Sequence, residues 1–440
     1  MVTIFWFRRD LRLNDNAALY HALKSDFPVQ PVFIFDNYIL DKLTDKEDAR
    51  VSFIHEILGQ IKSELIALNS DIKIYHGNPE DVFTAILSEF EVKAVFTNHD
   101  YEPYAIDRDL KIKLILSKEN ISLVTFKDQV IFEKDEVVKD DGLPYTIFTP
   151  YSKKWKSKLL SKLGSSGSES FYLESYNNYQ YFYNFNNSQG YEMPSLSDLG
   201  FIQSPIIASD GKVKQGTIKD YERDRNFPSI KGTSHLGIHF RFGTVSIREK
   251  VRNAQKLSEI FLNELIWREF YMQILWHFPH VTISSFRKEY DLIVWRNDEK
   301  DFLAWCNGET GYPIVDAGMR ELNATGFMHN RVRMITASFL TKHLLIDWRW
   351  GEAYFAQKLL DFELSSNNGG WQWAAGCGTD ASPYFRIFSP KAQTEKFDKE
   401  LSYINKWVPE WNTNEYPVPI VDHDFARKRC LEVYKAALQK

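Results

Sequence analysis

Cysteine and long apolar runs are scarce in this chain of 440 residues. Cys306, Cys377 and Cys430 are odd in number and widely spaced, which argues against a disulfide framework and indicates reduced thiols in a cytoplasmic protein. No apolar run reaches eighteen residues, so we expect no transmembrane helix and no membrane partner. The opening MVTIFWFRRDLRL has no basic region ahead of an apolar core, so it predicts a first strand instead of a signal peptide.

A net positive charge and a glycine fingerprint are also lacking, whereas aromatic residues are abundant. The net charge is −5, so any nucleic-acid binding requires a local basic face. No GxGxxG follows the first apolar run, which argues against the usual dinucleotide-binding loop. Aromatics make up 15% of the chain, and ten of its 12 Trp lie between Trp267 and Trp411. That clustering indicates an aromatic ligand or a stacking surface in the second half.

The order of apolar patterns predicts two domains. Short apolar runs at 2–7, 31–35, 72–75, 94–97 and 123–126 alternate with helical patterns such as 50–68, which predicts a parallel, Rossmann-like α/β sheet with helices on both faces. From about Ile218 the patterns are helical: 258–277, 298–306, 314–323, 331–345, 351–360 and 425–438. We therefore expect an α/β domain over 1–132, a connection over 133–200 that wraps a surface through the Tyr- and Asn-rich stretch 162–187, and an all-α domain over 201–440.

Two polar segments of the α/β half have open interpretations. The loop 8–16, RRDLRLNDN, is either a solvated turn with internal ion pairs or a functional loop. The segment 98–109, NHDYEPYAIDRD, follows a strand end, where α/β sheets place ligands.

The stretch 361–390 is the most unusual part of the helical half. Asn367, Asn368 and two glycines are unsuited to a helix interior, because Asn competes for backbone hydrogen bonds and glycine adds entropy cost. Trp371 and Trp373 beside this turn predict a flat-walled cavity. A helix C-cap followed by core aromatics is the alternative.

Three further groups stand out in the helical half. In GTSHLG, Thr233 and Ser234 are expected at a helix start suited to phosphate, and a metal at His235 and His239 lacks a third ligand. Glu264, Trp267 and Arg268 share one helical face, either as a solvated Glu–Arg pair or as a cavity wall. Residues 320–350 carry five cations and two acids, which predicts a phosphate-contacting face.

These residues bring the chain close to a known family. The motifs TGFMHNRVRM, LLIDWRWGE and NNGGWQWAAGCGTDASPYFRIF resemble the photolyase/cryptochrome family, within it the bacterial class I cyclobutane pyrimidine dimer photolyases. The resemblance runs from WFRRDLRLNDNAAL to FDKELSYINKWVPEW and is weakest over 162–187. It implies a FAD-dependent, light-driven enzyme, a deoxyribodipyrimidine photo-lyase, that repairs UV-damaged DNA.

The resemblance also implies roles for individual residues. The matching cofactor-binding positions are Tyr221, Thr233, Ser234, His235, Leu236, Gly237, Arg268, Arg333, Asp361, Phe362, Glu363 and Asn367. The positions matching the pocket for the flipped dimer are Glu264, Trp267, Asn330, Met334 and Trp373. DNA contacts match Arg225, Arg331, Arg386 and Gln393, besides Glu264, Trp267 and Asn330. The electron relay matches Trp371, Trp348 and Trp295.

The antenna region departs from the family pattern. Tyr104 and Ala105 stand where the folate-binding branch has Asn-Glu, and Glu102 with Arg241 resembles the deazaflavin-binding branch, although Arg241 replaces the family's Lys. The second chromophore is therefore left open between a deazaflavin, a folate and none.

The resemblance leaves two other functions to weigh. A cryptochrome-type blue-light receptor would typically carry a C-terminal extension. A (6-4) photoproduct photolyase would need a His where Asn330 and Met334 stand. We expect a dimer photolyase that acts as a monomer without an obligate protein partner.

Overall fold

The computed structural model describes residues 1–164, 167 and 169–439. Within it the chain forms two compact units. One comprises Met1–Glu133, Lys156–Gly211 and Leu236–Asn253, and the other comprises Lys134–Trp155, Lys212–His235 and Ala254–Lys440. Each unit is thus assembled from three separate pieces of chain, whereas the predicted boundaries divide the sequence only along its length. In the described part of the chain, none of the helices has the length and apolarity needed to cross a bilayer.

The first unit contains the predicted parallel sheet. Its strands are β1 (Val2–Phe7), β2 (Val29–Asp36), β3 (Lys73–Gly77), β4 (Val92–Asn98) and β5 (Ser122–Phe126). They pair in parallel in the order β3-β2-β1-β4-β5. Every residue of β1 and β2 is buried, as expected for strands at the centre of a parallel sheet, while the edge strands β3 and β5 are partly exposed.

Helices connect these strands. They are α1 (Ala17–Leu23), α2 (Asn37–Leu40), α3 (Ala49–Ala67), α4 (Pro79–Glu89) and α5 (Pro103–Lys118). Their starts follow the chemistry of helix N-termini. Asn16 and Asp48 accept hydrogen bonds from first-turn backbone N–H groups, and Pro79 and Pro103 occupy first positions, where the missing N–H costs nothing.

The charged loop 8–16 is mostly buried, and its ion pairs are made with residues outside the loop. Arg12 and Arg248 both bind Asp128, at 2.6 and 2.8 Å, and Arg248 also binds Asp15 at 2.9 Å. Burial alone would raise the pKa of Asp128, but the two guanidinium groups outweigh burial and hold that pKa below its ordinary value. The solvated-turn interpretation is therefore wrong, because the partners come from distant parts of the same unit.

The segment predicted to wrap a surface, 162–187, belongs to the first unit, and its residues 165, 166 and 168 lie outside the described chain. The Asn184 amide donates to the carbonyl oxygens of Leu23 and Ser25, both at 2.9 Å. The rings of Tyr176 and Tyr181 pack on Tyr20, with centroids 5.2 and 5.4 Å apart. Its rings and amides therefore hold the described part of the segment to the folded surface.

Beyond the sheet the described chain is helical. Short helices are α6 (Phe148–Leu160), α7 (Gln215–Lys219), α8 (Tyr221–Asp224), α9 (Gly237–Phe242) and α10 (Ile247–Leu257). The second unit continues with α11 (Glu259–His277), α12 (Glu299–Asn307), α13 (Pro313–Thr325), α14 (Asn330–Ser338), α15 (Trp348–Lys358), α16 (Leu364–Ala375), α17 (Pro390–Phe397), α18 (Ser402–Trp407) and α19 (His423–Leu438). A π-helical turn, Phe339–His343, extends α14. Short 3₁₀ helices occur at Lys134–Glu136, Phe171–Leu173, Asn178–Asn184, Pro279–Thr282 and Lys288–Leu292.

The Asn–Gly run is not a turn, and that expectation is wrong. Residues 367–370 lie inside α16. The Asn368 amide donates to the Val281 carbonyl oxygen and to Glu352 Oε1, both at 2.9 Å, so its side chain does not compete for the helix backbone. A Cβ on Gly369 would lie 2.2 Å from the Tyr271 ring. Glycine is therefore required here because α11 and α16 approach closely. Local helix propensity contains no information about that distance.

The two glycines of α16 give a matched pair of variants. We expect Gly369→Ala to lower the free energy of unfolding by about 1–3 kcal/mol, because its methyl group collides with the Tyr271 ring. Gly370→Ala meets nothing within 4 Å and should raise it by about 0.5–1 kcal/mol through helix propensity. Thermal unfolding of both variants beside wild type measures the difference. Equal effects of the two substitutions would contradict the packing account.

Candidate active site

A cavity of about 410 Å³ lies between α11, α14, α15 and α16 in the second unit. Its wall combines aromatic rings, paired charges and amides. The lining residues are Arg225, Glu264, Trp267, Arg268, Tyr271, Asn330, Arg333, Met334, Ala337, Phe355, Leu359, Asp361, Phe362, Glu363, Ser366, Asn367, Gly370, Trp371 and Trp373. The predicted flat-walled cavity beside Trp371 and Trp373 is confirmed.

The helix α11 forms one wall. Glu264, Trp267 and Arg268 share the predicted face, but they do not form a solvated Glu–Arg pair. Glu264 accepts from Arg225 at 2.5 Å, and Arg268 donates to Glu363 at 2.9 Å. Tyr271 was missed, although the same spacing continued by one step, i+7 from Glu264, would have found it. Burial raises the pKa of Tyr271 above its usual value, and the nearby carboxylates of Asp380 and Glu264 raise it further.

A half-buried charge pair forms another part of the wall. Arg333 donates from Nη2 to Asp361 Oδ2 at 2.9 Å and from Nε to the Met328 carbonyl oxygen at 2.7 Å. Asp361 Oδ1 is buried and has no hydrogen-bond partner in the described chain. A buried carboxylate oxygen without a donor is costly, so this atom is suited to an N–H group of a molecule in the cavity.

The start of α14 places three lining residues. His329 caps the helix by accepting the Arg331 N–H at Nδ1, 3.2 Å away. Burial, with help from Arg333 and Arg331, lowers the pKa of His329 to about 4, so the cap stays neutral at physiological pH. One turn of helix then presents Asn330, Arg333 and Met334 to the cavity.

Trp371 links the cavity to the aromatic core. Its side chain is 2% exposed, and its ring packs edge-on against Trp305 and Phe355, with centroids 6.0 and 5.0 Å away. A Cβ on Gly351 would lie 2.1 Å from the indole, so α15 can approach this ring only at a glycine. Trp348 belongs to the same buried cluster. Trp295 packs against this cluster, and its ring centroid lies 6.0 Å from that of Tyr434.

Glu352 supports the amides of α16. Its backbone oxygen accepts from Asn367 Nδ2 at 3.0 Å, and its carboxylate accepts from Asn368 Nδ2 at 2.9 Å. Burial raises the pKa of Glu352 to about 7, although Asn368 and Arg349 act in the opposite direction. This carboxyl group was not singled out from the sequence, where it is one acid among many on helical patterns.

The raised pKa of Glu352 predicts a pH-dependent stability. The folded protein keeps this proton up to about pH 7, whereas the unfolded chain loses it near pH 4.3, so the folded state binds more protons between these values. The free energy of unfolding should therefore fall as pH rises through this window. Between pH 5 and pH 8, the free energy of unfolding of Glu352→Gln should rise by about 1–3 kcal/mol relative to that of wild type. Denaturant unfolding of both proteins across this pH range measures the difference. Parallel stability curves for the two proteins would refute this.

Some predicted cofactor residues do not line the cavity. They are Tyr221, Thr233, Ser234, His235, Leu236 and Gly237. The expectation that Thr233 and Ser234 start a helix is wrong. The helix α9 begins at Gly237, its N-cap is Leu236, and His235 has a left-handed backbone (φ 50°) that separates the hydroxyls from it.

The predicted basic face is not continuous, so that expectation is wrong. Lys342 is fully buried and donates to the Tyr384 carbonyl oxygen at 2.8 Å. Arg320 binds Glu410 at 2.6 Å, and Arg349 binds Asp291 at 2.8 Å. Counting charges along a sequence ignores which of them find acidic partners. Arg331 and Arg333 remain near the cavity, because both belong to the first turn of α14.

The predicted DNA-contacting residues lie in different settings. Arg331 donates to Asn226 at 2.7 Å, and its guanidinium lies 4.3 Å from the Phe397 ring centroid. Arg386 is exposed, and Gln393 is half-buried in α17. Among the described residues, no group of three or more His, Cys, Asp or Glu is placed to hold a metal ion.

In the first unit, the polar antenna residues Glu102, Tyr104 and Arg241 have partners within the protein. Glu102 accepts from both Arg9, at 3.0 Å, and Arg241. Tyr104 donates its hydroxyl to Asp36. The polar segment 98–109 is therefore paired at these positions with residues from other parts of the first unit.

Comparison with known proteins accounts for this arrangement. The family model of the FAD binding domain of DNA photolyase matches residues 261–415, and that of DNA photolyase matches residues 3–167. The deoxyribodipyrimidine photo-lyase of Alkalihalophilus pseudofirmus is 36% identical over 98% of this chain and 97% of its own. The chain belongs to the DNA photolyase family.

Solved photolyases have the same fold over the whole chain. A bacterial class III photolyase from Agrobacterium tumefaciens superposes with a TM-score of 0.85 at 32% identity, covering 100% of this chain and 98% of its own. An archaeal photolyase from Sulfolobus tokodaii, solved with two FAD molecules, has a TM-score of 0.82 at 34% identity, covering 99% and 100%. The family resemblance and the two-part fold are confirmed, and membership of class I stays a prediction.

The cavity wall fits a flavin. A flat heteroaromatic ring with N–H and carbonyl groups needs aromatic walls, an acceptor and donors. Phe362 and Trp371 supply rings, the unpartnered Asp361 Oδ1 supplies a buried acceptor, and Arg333 supplies a cation.

Proposed function

We propose that this protein repairs cyclobutane pyrimidine dimers in UV-damaged DNA, driven by light and dependent on FAD. One observation carries the proposal: a single cavity joins the Arg333–Asp361 pair to the indoles Trp267 and Trp373. The full-length similarity to deoxyribodipyrimidine photo-lyases supports the same activity.

In this proposal the flavin is held by one part of the cavity wall. Its ring system contacts Arg268, Arg333, Asp361, Phe362, Glu363 and Asn367. Its phosphates are held by Tyr221, Thr233, Ser234, His235, Leu236 and Gly237, as in the family. FAD supplies, when bound and reduced, the light-excited electron that splits the dimer. The charged pairs Arg333–Asp361 and Arg268–Glu363 hold the wall in position at 2.9 Å contacts.

The dimer is bound in the same cavity by Glu264, Trp267, Asn330, Met334 and Trp373. A dimer inside a duplex is out of reach, so it must be flipped out at a cost of a few kcal/mol. Stacking on Trp267 and Trp373 returns about 1–3 kcal/mol per base. Glu264 offers a hydrogen bond at the carbonyl–imide edge, where charge develops during splitting.

Arg225, Arg331, Arg386 and Gln393 bind the DNA around the flipped nucleotides. Arg225 connects DNA binding to dimer binding, because its guanidinium pairs with Glu264 at 2.5 Å. Arg331 is braced by Asn226 and Phe397, which lowers the entropy lost when it binds a phosphate.

Trp371, Trp348 and Trp295 carry electrons inward to restore the reduced cofactor. All three belong to, or pack on, one aromatic core that reaches the cavity at Trp371. We further propose a cytoplasmic monomer. A second chromophore in the first unit would meet Glu102 already paired with Arg9 and Arg241.

The test is an absorption spectrum of the purified protein before and after blue light, followed by repair of a dimer-containing oligonucleotide. We expect one FAD per chain, with Asp361→Ala as the variant that loses it. Absorbance beyond the flavin bands would identify a deazaflavin or folate antenna. A colourless protein that FAD cannot reconstitute would end the proposal. Flavin binding without repair would favour a receptor, and repair of (6-4) photoproducts alone would favour that branch.

A further inference from the structure

Phe148 covers one face of the Trp267 indole. The two rings are parallel within 5°, and their centroids are 3.8 Å apart. Aromatic pairs left to themselves prefer offset or edge-to-face geometry with centroids 4.5–7 Å apart. A close face-to-face stack therefore indicates that other contacts hold the rings in place.

Two hydrogen bonds supply that restraint. The Phe148 backbone N–H donates to Asp380 Oδ2 at 3.1 Å, and the Thr379 hydroxyl donates to the Thr146 carbonyl oxygen at 2.5 Å. Asp380 has a left-handed backbone (φ 46°), a conformation that Asp tolerates better than most residues. The stretch 146–148 is thus tied at both ends to the loop that follows α16.

The remaining neighbours confine Trp267 further. Phe270 meets it edge-on with centroids 5.5 Å apart, and Tyr271 lies tilted at 5.4 Å. Trp267 lines the cavity, whereas Phe148 does not. A base entering the cavity can therefore stack only on the indole face that Phe148 leaves open.

We infer that Phe148, held by Asp380, is a positioning residue that fixes Trp267 as a one-sided stacking surface for the flipped pyrimidine dimer. The inference rests on the proposed function. It also connects two parts of the DNA site, because the loop that holds Phe148 continues to the exposed Arg386. A wall that is rigid before binding loses less entropy when the base stacks on it.

The test is a double-mutant cycle on binding. Phe148→Leu keeps an apolar side chain but removes the flat ring. We expect it to lower the preference for dimer-containing over undamaged oligonucleotide about two- to tenfold, the range for one aromatic pair, with FAD content and affinity for undamaged DNA unchanged. In a Trp267→Leu background the same substitution should have no further effect. Phe148→Tyr, which keeps the flat ring, should restore the preference.

Two controls keep the outcome decisive. Ile147→Ala changes the exposed neighbour and should leave the preference as in wild type. If Phe148→Leu fails to fold, Asp380→Ala removes the acceptor of the Phe148 N–H with both rings intact, and Asp380→Asn retains one. An equal loss in both Trp267 backgrounds, or an equal loss for both DNAs, would overturn the inference. If wild type itself shows no preference for damaged DNA, the proposed function falls instead.

Discussion

Trp371→Phe should nearly abolish photoreduction of the bound flavin, while repair by chemically reduced enzyme stays close to wild type. Trp371 lines the cavity, and its buried ring packs edge-on against Trp305 of the aromatic core. Phenylalanine fills much of the space but is far harder to oxidise than indole. We expect the photoreduction rate to fall below about a tenth of wild type, which corresponds to at least about 1.4 kcal/mol of added barrier. Flavin absorbance under continuous blue light measures this.

Trp373→Phe is the matched control, because the same substitution is made in another cavity-lining indole two positions away. Trp373 is assigned to the dimer, so its variant should photoreduce normally and lose part of the preference for damaged DNA. Equal photoreduction rates in the two variants would show that Trp371 is not the first donor.

Trp267→Ala and Arg386→Ala should weaken DNA binding in different ways. Trp267 offers a stacking face, so its loss should reduce the preference for dimer-containing DNA by about 1–3 kcal/mol. Arg386 is exposed and is proposed to contact phosphate. Its loss should weaken binding to damaged and undamaged DNA alike and lower the salt slope by about one unit. Binding of both oligonucleotides across a salt series separates the two effects.

Glu264→Gln completes this comparison. Glutamine still offers an acceptor to Arg225, so the guanidinium keeps a hydrogen-bond partner at the cavity wall. We expect repair to fall more than binding, because the hydrogen bond of Glu264 matters most once the dimer carries extra charge. Losses of the same size in both measurements would assign Glu264 to binding alone.

The family could be recognised from the sequence because its motifs are local. Asn330, Arg331, Arg333 and Met334 lie within one helix start, and Trp371 and Trp373 lie two positions apart. The strands were equally accessible, since five apolar runs separated by amphipathic helical patterns allow few arrangements besides a parallel sheet. Every predicted run overlaps an observed strand.

Pairing between distant residues was not accessible in this way. The patterns placed Glu264 beside Arg268, but the structure joins Glu264 to Arg225 and Arg268 to Glu363. The charge count over 320–350 failed for the same reason, since Lys342 is buried and Arg320 and Arg349 have acidic partners. A charge acts through its three-dimensional neighbours, and sequence separation says little about them.

The sequence by itself determined the five strands and the longer amphipathic helices, and it placed Glu264, Trp267 and Arg268 on one face of α11, because the periods of 2 and 3.6 residues are local properties. The cavity-lining residues of α14 were predicted from the family motif. Only the tertiary structure decided that residues 367–370 stay helical and that Phe148 stacks on Trp267. Both depend on close approach between segments far apart in the chain. Propensity would place a turn at Gly369, but packing against the Tyr271 ring outweighs it. The energy of such contacts exceeds local preference, and it exists only once the chain has folded.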